Sequence, residues 1–307
     1  MDLELDQLRA LDAAVTEGSL DGAARVLRVT PSAVSQRLKA LESRVGQVLL
    51  VRSRPVRTTG AGQVVLRLAR QVSLLAADAD AELAGVGVQA GPGPAGAAGP
   101  SLPVAVNADS LGTWVLPAVA ALAHRLRLDL RRDDEERTSE LLRDGSVMAA
   151  VTTEPTAVAG CRATPLGIMR YRAVASPGYL ARWLPDGVGE AALRAAPVVL
   201  YDRRDDLQHR WLRGHGVTAA PPAHHVPSTA DHHRAVRLGM GWGMVPDLLG
   251  AEDRRAGRLV ELVPDRVVDR VLHWQQWRLR SRALDELADA VVTAARTRLL
   301  PVPAGAG

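Results

Sequence analysis

Between Gly85 and Pro100 the chain reads GVGVQAGPGPAGAAGP, a tract of small residues broken by six glycines and three prolines. Glycine's backbone freedom and proline's missing donor work against both helix and ladder, so the tract reads as a flexible linker. It divides the chain in two, and each part must find its own apolar core. At 307 residues and 47% hydrophobic content, the chain carries enough apolar surface for about two domains.

The single cysteine, Cys161, excludes a disulfide framework and a paired-cysteine metal knuckle. The opening MDLELDQLRA is charged, and no apolar run reaches about 18 residues. The expectation is a cytoplasmic protein with no membrane partner. Net charge is only +4, but from Arg25 to Arg57 eight basic residues (Arg25, Arg28, Arg37, Lys39, Arg44, Arg52, Arg54, Arg57) face one acid, Glu42. Such a local excess is a footprint for a polyanion, against the plainer reading of a solvated basic face.

Leu3, Leu5, Leu8 and Leu11 open an amphipathic helix that stops at Gly18. Ser19 caps a second helix with Leu20, Ala23, Ala24 and Leu27 inward. Thr30 and Pro31 then fit the N-cap and N1 of a third. In it Val34, Leu38, Leu41 and Val45 recur at spacings of four, three and four and form the inner stripe. Ser32, Gln36, Lys39 and Ser43 fall opposite, flanked by Ala33 and Ser35. A helix, a tight turn and a second helix with a polar N-terminal half is the helix-turn-helix pattern, which lays that half on base edges. The candidate DNA contacts are Thr30, Ser32, Ala33, Ser35, Gln36 and Lys39, joined by Arg52, Arg54 and Arg57 on a hairpin wing that turns near Arg54-Pro55. From Ala61 to Ala84 the sequence is helical, and Val65, Leu68, Val72 and Leu75 follow a heptad-like spacing. That seam either packs on its own domain or, as preferred here, pairs two subunits into a dimer or tetramer.

Beyond the linker, LPVAVNADS, LDLRRDD and VMAAVTTEP read as strands separated by helices, which implies a mainly parallel sheet with ligands at the carboxyl ends of its strands. IMRYRAVAS starts a second β-rich unit, and RVLHWQQW with a final helix from Ala283 to Leu300 returns to the first. Polar residues gather where strands end: Asn107, Asp109 and Ser110; Thr152, Thr153 and Glu154; Asp202, Asp205 and Asp206; Ser228, Thr229 and Asp231. A helix opening suits a carboxylate and strand-end acids suit a cation, while plain capping and an internally paired loop are the competing readings. His224-His225 and His232-His233 match no closed metal site and read as surface loop. GMGWG (Gly239, Gly241, Gly243) lacks the strand-to-helix setting of a dinucleotide site and reads as a close backbone approach. No nucleophile or acid–base set emerges, so an enzyme is not expected, nor a cofactor or metal.

The stretch GSLDGAARVLRVTPSAVSQRLKALESRVGQVLLVR followed by TTGAG resembles the winged helix-turn-helix of LysR-type transcriptional regulators. Leu49-Leu50-Val51-Arg52 stands where many members carry a phenylalanine. That departure, with VAVNADSLGTWVLPAV, AAVTTEP, APVVLYDRRDDLQ, RLGMGWGMVPD and VLHWQQW, resembles the LysG/ArgP branch of basic amino-acid export regulators. The resemblance implies a winged helix-turn-helix at 1–60, a linker and dimerisation helix at 61–84, the flexible tract at 85–100, and an effector domain at 101–307. The last would be a two-lobed α/β domain like periplasmic binding proteins, with lobe I at about 101–169 and 268–300, lobe II at about 170–264, and a cleft between them. The implied function is control of a basic amino-acid exporter gene in response to lysine or arginine, with operator DNA as partner. The alternative is a ligand-independent architectural or replication-modulating DNA binder.

Overall fold

The computed structural model describes residues 3–51, 53–86, 101–132 and 135–303. Chain contacts divide it into two compact units. The first holds Met1–Val106, Val119–Ala163 and Trp274–Ala290; the second holds Asn107–Ala118, Thr164–His273 and Val291–Gly307.

The head of the first unit follows the local chemistry of its sequence. Helix α1 (Leu5–Thr16) ends before Gly18, whose φ of +65° reverses the chain. Helix α2 (Leu20–Leu27) starts at Ser19, whose hydroxyl accepts the Gly22 N–H at 3.0 Å, and α3 (Pro31–Val45) starts at Thr30, whose hydroxyl accepts the Ala33 N–H at 3.2 Å. Gly46 closes α3 in the left-handed conformation. Leu8, Leu11, Ala23, Ala24, Val34, Leu38 and Leu41 form one core beneath these helices. Cutting Leu41 back to alanine there would cost about 2–5 kcal/mol.

The wing is a two-residue-deep hairpin, β1 (Leu50–Val51) antiparallel to β2 (Arg57–Thr58). Glu42 holds it to α3 by accepting the Leu49 N–H at 2.9 Å, and the Val56 N–H donates to the Gly18 carbonyl at 2.9 Å. Helix α4 (Gly60–Val86) begins against the wing: a β carbon at Gly62 would stand 1.9 Å from the Leu49 carbonyl oxygen, so only glycine fits. Of the tract expected to be a flexible linker, 87–100 lies outside the described residues.

In the rest of the first unit, β3 (Ser101–Val106) pairs in parallel with β4 (Arg127–Arg132) on one side and β5 (Ala149–Thr152) on the other. β3 from Leu102 to Val106 and β5 from Ala149 to Val151 are continuous buried apolar runs, as strands covered on both faces must be. The helical stretch 108–120, which belongs to the second unit as far as Ala118, consists of α5 (Ala108–Ser110), a wider π-type turn over Leu111–Val115, and α6 (Leu116–Ala120). Helix α7 (Glu135–Arg143) leads into β5.

Next along the chain come β6 (Cys161–Ala175), α8 (Pro177–Trp183), α9 (Glu190–Ala195), β7 (Val198–Leu200), α10 (Leu207–Arg213) and β8 (Ala223–His225). They are followed by α11 (Thr229–Arg237), β9 (Gly243–Pro246), α12 (Asp247–Arg255), β10 (Val260–Glu261), β11 (Val267–Trp277) and α13 (Arg282–Arg298). In the second unit β9 and β10 run antiparallel to β6, β7 pairs in parallel with β8, and Val174, Val199, Val236 and Val245 share a core. Gly241 and Gly243 pass so close to Pro197 and to His232 that a β carbon would meet them at 2.9 Å, the close approach read from GMGWG. Among the described residues, no helix is long and apolar enough to cross a membrane.

Candidate nucleic-acid interface and effector pocket

Ser32, Gln36, Lys39 and Ser43 are exposed along one side of α3, opposite buried Val34, Leu38 and Leu41, and Ala33 and Ser35 are half-buried beside them. Thr30, Arg54 and Arg57 are exposed as well, whereas Arg52 lies outside the described residues. The basic cluster is smaller than its count. Arg37 pairs with Asp6 at 3.0 Å and Arg44 with Glu4, both acids coming from the start of α1. Arg25, Arg28, Lys39, Arg54 and Arg57 have no ion-pair partner among the described residues and remain as the charge offered to a polyanion.

The expected seam on α4 needs correction. Val65 is 5% exposed and sits in the head core, with Val72 packed against that core. The reason is α1, which covers this face of α4. Leu68 and Leu75 are 39% and 43% exposed, and with Val64 and Leu83 they make the apolar stripe that faces outward.

The strand-end polar residues separate into caps and a pocket. The Asn107 side chain accepts the Ser110 N–H at 3.3 Å, and Ser110 is fully buried. Thr152 is buried and its hydroxyl accepts the Glu154 N–H at 3.1 Å. Thr153 is half-buried, and Glu154 is exposed, its carboxylate accepting the Thr156 N–H at 3.1 Å. Asp202 accepts the N–H groups of Arg204 and Asp205, and Asp206 pairs with Arg210 and Arg270. Ser228 caps α11. These five positions (Asn107, Thr152, Asp202, Asp206, Ser228) each hold a turn or a neighbour in the described residues.

Asp109, Asp205 and Thr229 are different, because they line one small pocket of the second unit together with Tyr201, His232 and Leu249. One oxygen of Asp109 accepts the Thr229 hydroxyl at 2.8 Å, and the other accepts the Tyr171 hydroxyl at 2.8 Å. Asp205 accepts the Tyr201 and Leu207 N–H groups, each at 3.1 Å. Burial raises its pKa above the ordinary carboxylate value, against those two hydrogen bonds and nearby His232, and the Asp109 charge adds to the rise. Among the described residues, no arginine or lysine lines the pocket.

The histidines depart from the surface-loop reading. His224 and His225 lie exposed on β8, while His232 is buried on α11 with Nε2 3.0 Å from the Val199 carbonyl oxygen. Two polar residues were not anticipated. Tyr171 is one. The other is Gln275, buried in β11, whose amide clamps the 154–158 loop by accepting the Val158 N–H and donating to the Glu154 and Thr156 carbonyls. The polar pair inside apolar VLHWQQW was the available signal.

Comparison with known proteins agrees with this division of labour. Residues 5–63 match the bacterial regulatory helix-turn-helix profile of the lysR family, and residues 96–298 match the LysR substrate binding domain. The lysine export transcriptional regulatory protein LysG of Corynebacterium efficiens is 43% identical over 301 residues, covering 97% of this chain and 98% of its own. The crystal structure of ArgP from Mycobacterium tuberculosis superposes with a TM-score of 0.81 at 42% identity, covering 96% of this chain and 98% of the other. Full-length LysG from Corynebacterium glutamicum with bound effector Arg gives 0.74 at 39% identity, covering 97% and 100%. A winged head with an exposed polar recognition helix, joined to an α/β effector domain and matched along nearly its whole length, makes this chain a member of the LysR family of DNA-binding transcriptional regulators.

Proposed function

We propose that this regulator senses a basic amino acid, arginine or lysine, and controls an exporter gene for it. The observation that carries the reading is the Asp109–Asp205 pair: two carboxylates on one pocket, held by neutral donors and with no arginine or lysine among the described lining residues. A guanidinium or ammonium group supplies the missing charge, and charge-assisted hydrogen bonds to carboxylates are the strong kind. The arginine bound to the C. glutamicum relative supports this chemistry, and the lysine-export role of the C. efficiens relative supports the gene class.

On the DNA side, the exposed face of α3 enters the major groove, where Gln36 suits adenine and Lys39 a guanine or a phosphate, while Arg54 and Arg57 on the wing meet the backbone. The outward stripe of α4 pairs two copies, so that two heads meet a two-fold symmetric operator in the cytoplasm. The protein acts by binding rather than by catalysis.

Calorimetry on the full chain tests the effector. L-Arginine or L-lysine should bind, while L-citrulline, which matches arginine in shape without its charge, and L-leucine should not. Equal binding of citrulline and arginine would remove the carboxylate pair from recognition.

A further inference from the structure

We propose that Arg70 is a positioning residue that fastens the DNA-reading head to the effector half, so that its contacts set the pose from which the head engages DNA. The side chain is 3% exposed on α4, where a leucine would fill the space without bringing a charge out of water. Its guanidinium is divided among acceptors from two parts of the chain. Nε donates to Asp12 Oδ1 at 2.7 Å and Nη2 to Thr16 Oγ1 at 3.3 Å, both on α1 of the head. Nη1 donates to the Gly145 carbonyl, 75 residues along the sequence, in the turn between α7 and β5.

The far side of this contact is fitted as closely. Gly145 has a φ of +77°, and a β carbon there would meet Arg67 Cβ at 2.8 Å and Arg67 Cα at 3.0 Å, so the turn lies against the backbone of α4 one helical turn before Arg70. Within the turn the Ser146 N–H donates to Asp144 Oδ1 at 2.7 Å and the Val147 N–H to the Leu141 carbonyl at 3.0 Å. The turn feeds β5, next to β3 in the sheet of the effector half. A planar fork with fixed donor directions satisfies these acceptors only while head and turn hold one relative position, and lysine cannot reproduce it. A shift in the effector half therefore either drags the head with it or leaves a buried cation short of an acceptor.

The test uses the full chain carrying Arg70→Lys or Gly145→Ala. Three quantities are read: operator affinity with and without L-arginine, L-arginine binding by calorimetry, and amide hydrogen exchange at Ser146 and Val147. Each variant should melt cooperatively and bind arginine within about threefold of the parent. Exchange at the two amides should speed up at least about tenfold. The arginine-dependent change in operator affinity, about 5–150-fold for typical allosteric coupling, should fall below about twofold. Parental exchange together with an undiminished arginine effect in the variants would overturn the proposal. If Arg70→Lys fails to fold, Gly145→Ala decides, since it perturbs the turn and leaves the Arg70–Asp12 pair in place. The arginine arm rests on the effector reading above. A parent whose operator affinity ignores arginine would sink that reading, and the exchange data would still decide the fastening role.

Discussion

Asp109 lies within electrostatic reach of Asp205 across the pocket, and with burial as the larger cause it holds the Asp205 carboxyl above the ordinary carboxylate value. The folded chain therefore keeps this proton more tightly than the unfolded chain. The associated cost is absent below the ordinary carboxylate pKa and develops as pH rises through the raised one. A bound cation reverses the preference, because it favours the ionised form. Arginine affinity should accordingly climb with pH through the raised value, with a proton released on binding. Titrations in two buffers of different ionisation enthalpy, from about pH 4 to about pH 7, read both. An affinity flat across that range would remove Asp205 from the site.

Asp109→Asn keeps the shape of the carboxylate and an oxygen for Thr229 while removing the charge. Arginine binding should weaken by about 2–5 kcal/mol, the usual loss when one partner of a desolvated charge pair is removed. The melting temperature should change little, because the relief of repulsion on Asp205 is set against the lost acceptor for the Tyr171 hydroxyl. Glu154→Gln should change affinity far less, since that carboxylate is exposed and serves its own turn. A larger loss at Glu154 than at Asp109 would relocate the cation site.

Gln36→Ala should cost about 1–3 kcal/mol on the preferred operator and leave random DNA nearly untouched. Arg57→Ala should weaken all sequences alike and flatten the salt dependence by about 0.9 in slope. Binding curves at several salt concentrations on operator and scrambled duplexes distinguish them. Equal losses on both DNAs for Gln36→Ala would deny it a base contact.

The two faces of α4 should respond in opposite ways. Leu68→Glu with Leu75→Glu places charge on the outward stripe, so the fold should survive while subunits separate and operator binding collapses. Val65→Glu places charge in the head core and should unfold the head itself. Sedimentation with far-ultraviolet circular dichroism separates dissociation from unfolding.

Burial pushes the Cys161 thiol up to about 11, outweighing the Arg67 and Arg278 charges that lower it. At pH 8 its thiolate fraction is about 100-fold below that of a thiol with the ordinary value near 9. A maleimide or disulfide reagent should label the native protein correspondingly slowly, and rapid native labelling would contradict the burial.

The head was legible because its signals are local. Ser19, Thr30, Pro31 and Gly46 each act within one turn of where they stand, and the inner stripe of α3 needs only the helical period. The misreadings share a different origin. Asp6 and Glu4 neutralise Arg37 and Arg44 from 31 and 40 residues away, so a charge count over a window misses them. α1 covers Val65 and Val72 for the same long-range reason. In the effector half, Asp205 could not be told from Asp202 by spacing, since both belong to YDRRDD. Only the fold shows that one caps its loop and the other faces the pocket with Asp109, 96 positions earlier in the numbering.

The glycine at position 62 has a mechanical consequence. With its α carbon pressed on the Leu49 carbonyl, the wing is welded to the base of a 27-residue helix. At about 1.5 Å per residue that helix is a lever about 40 Å long. Tilting it by about 10° about its distal end sweeps the wing end through about 7 Å, roughly two base-pair steps at 3.4 Å each. Small angular changes at one end thus become whole steps of register at the other, without any bending inside the head.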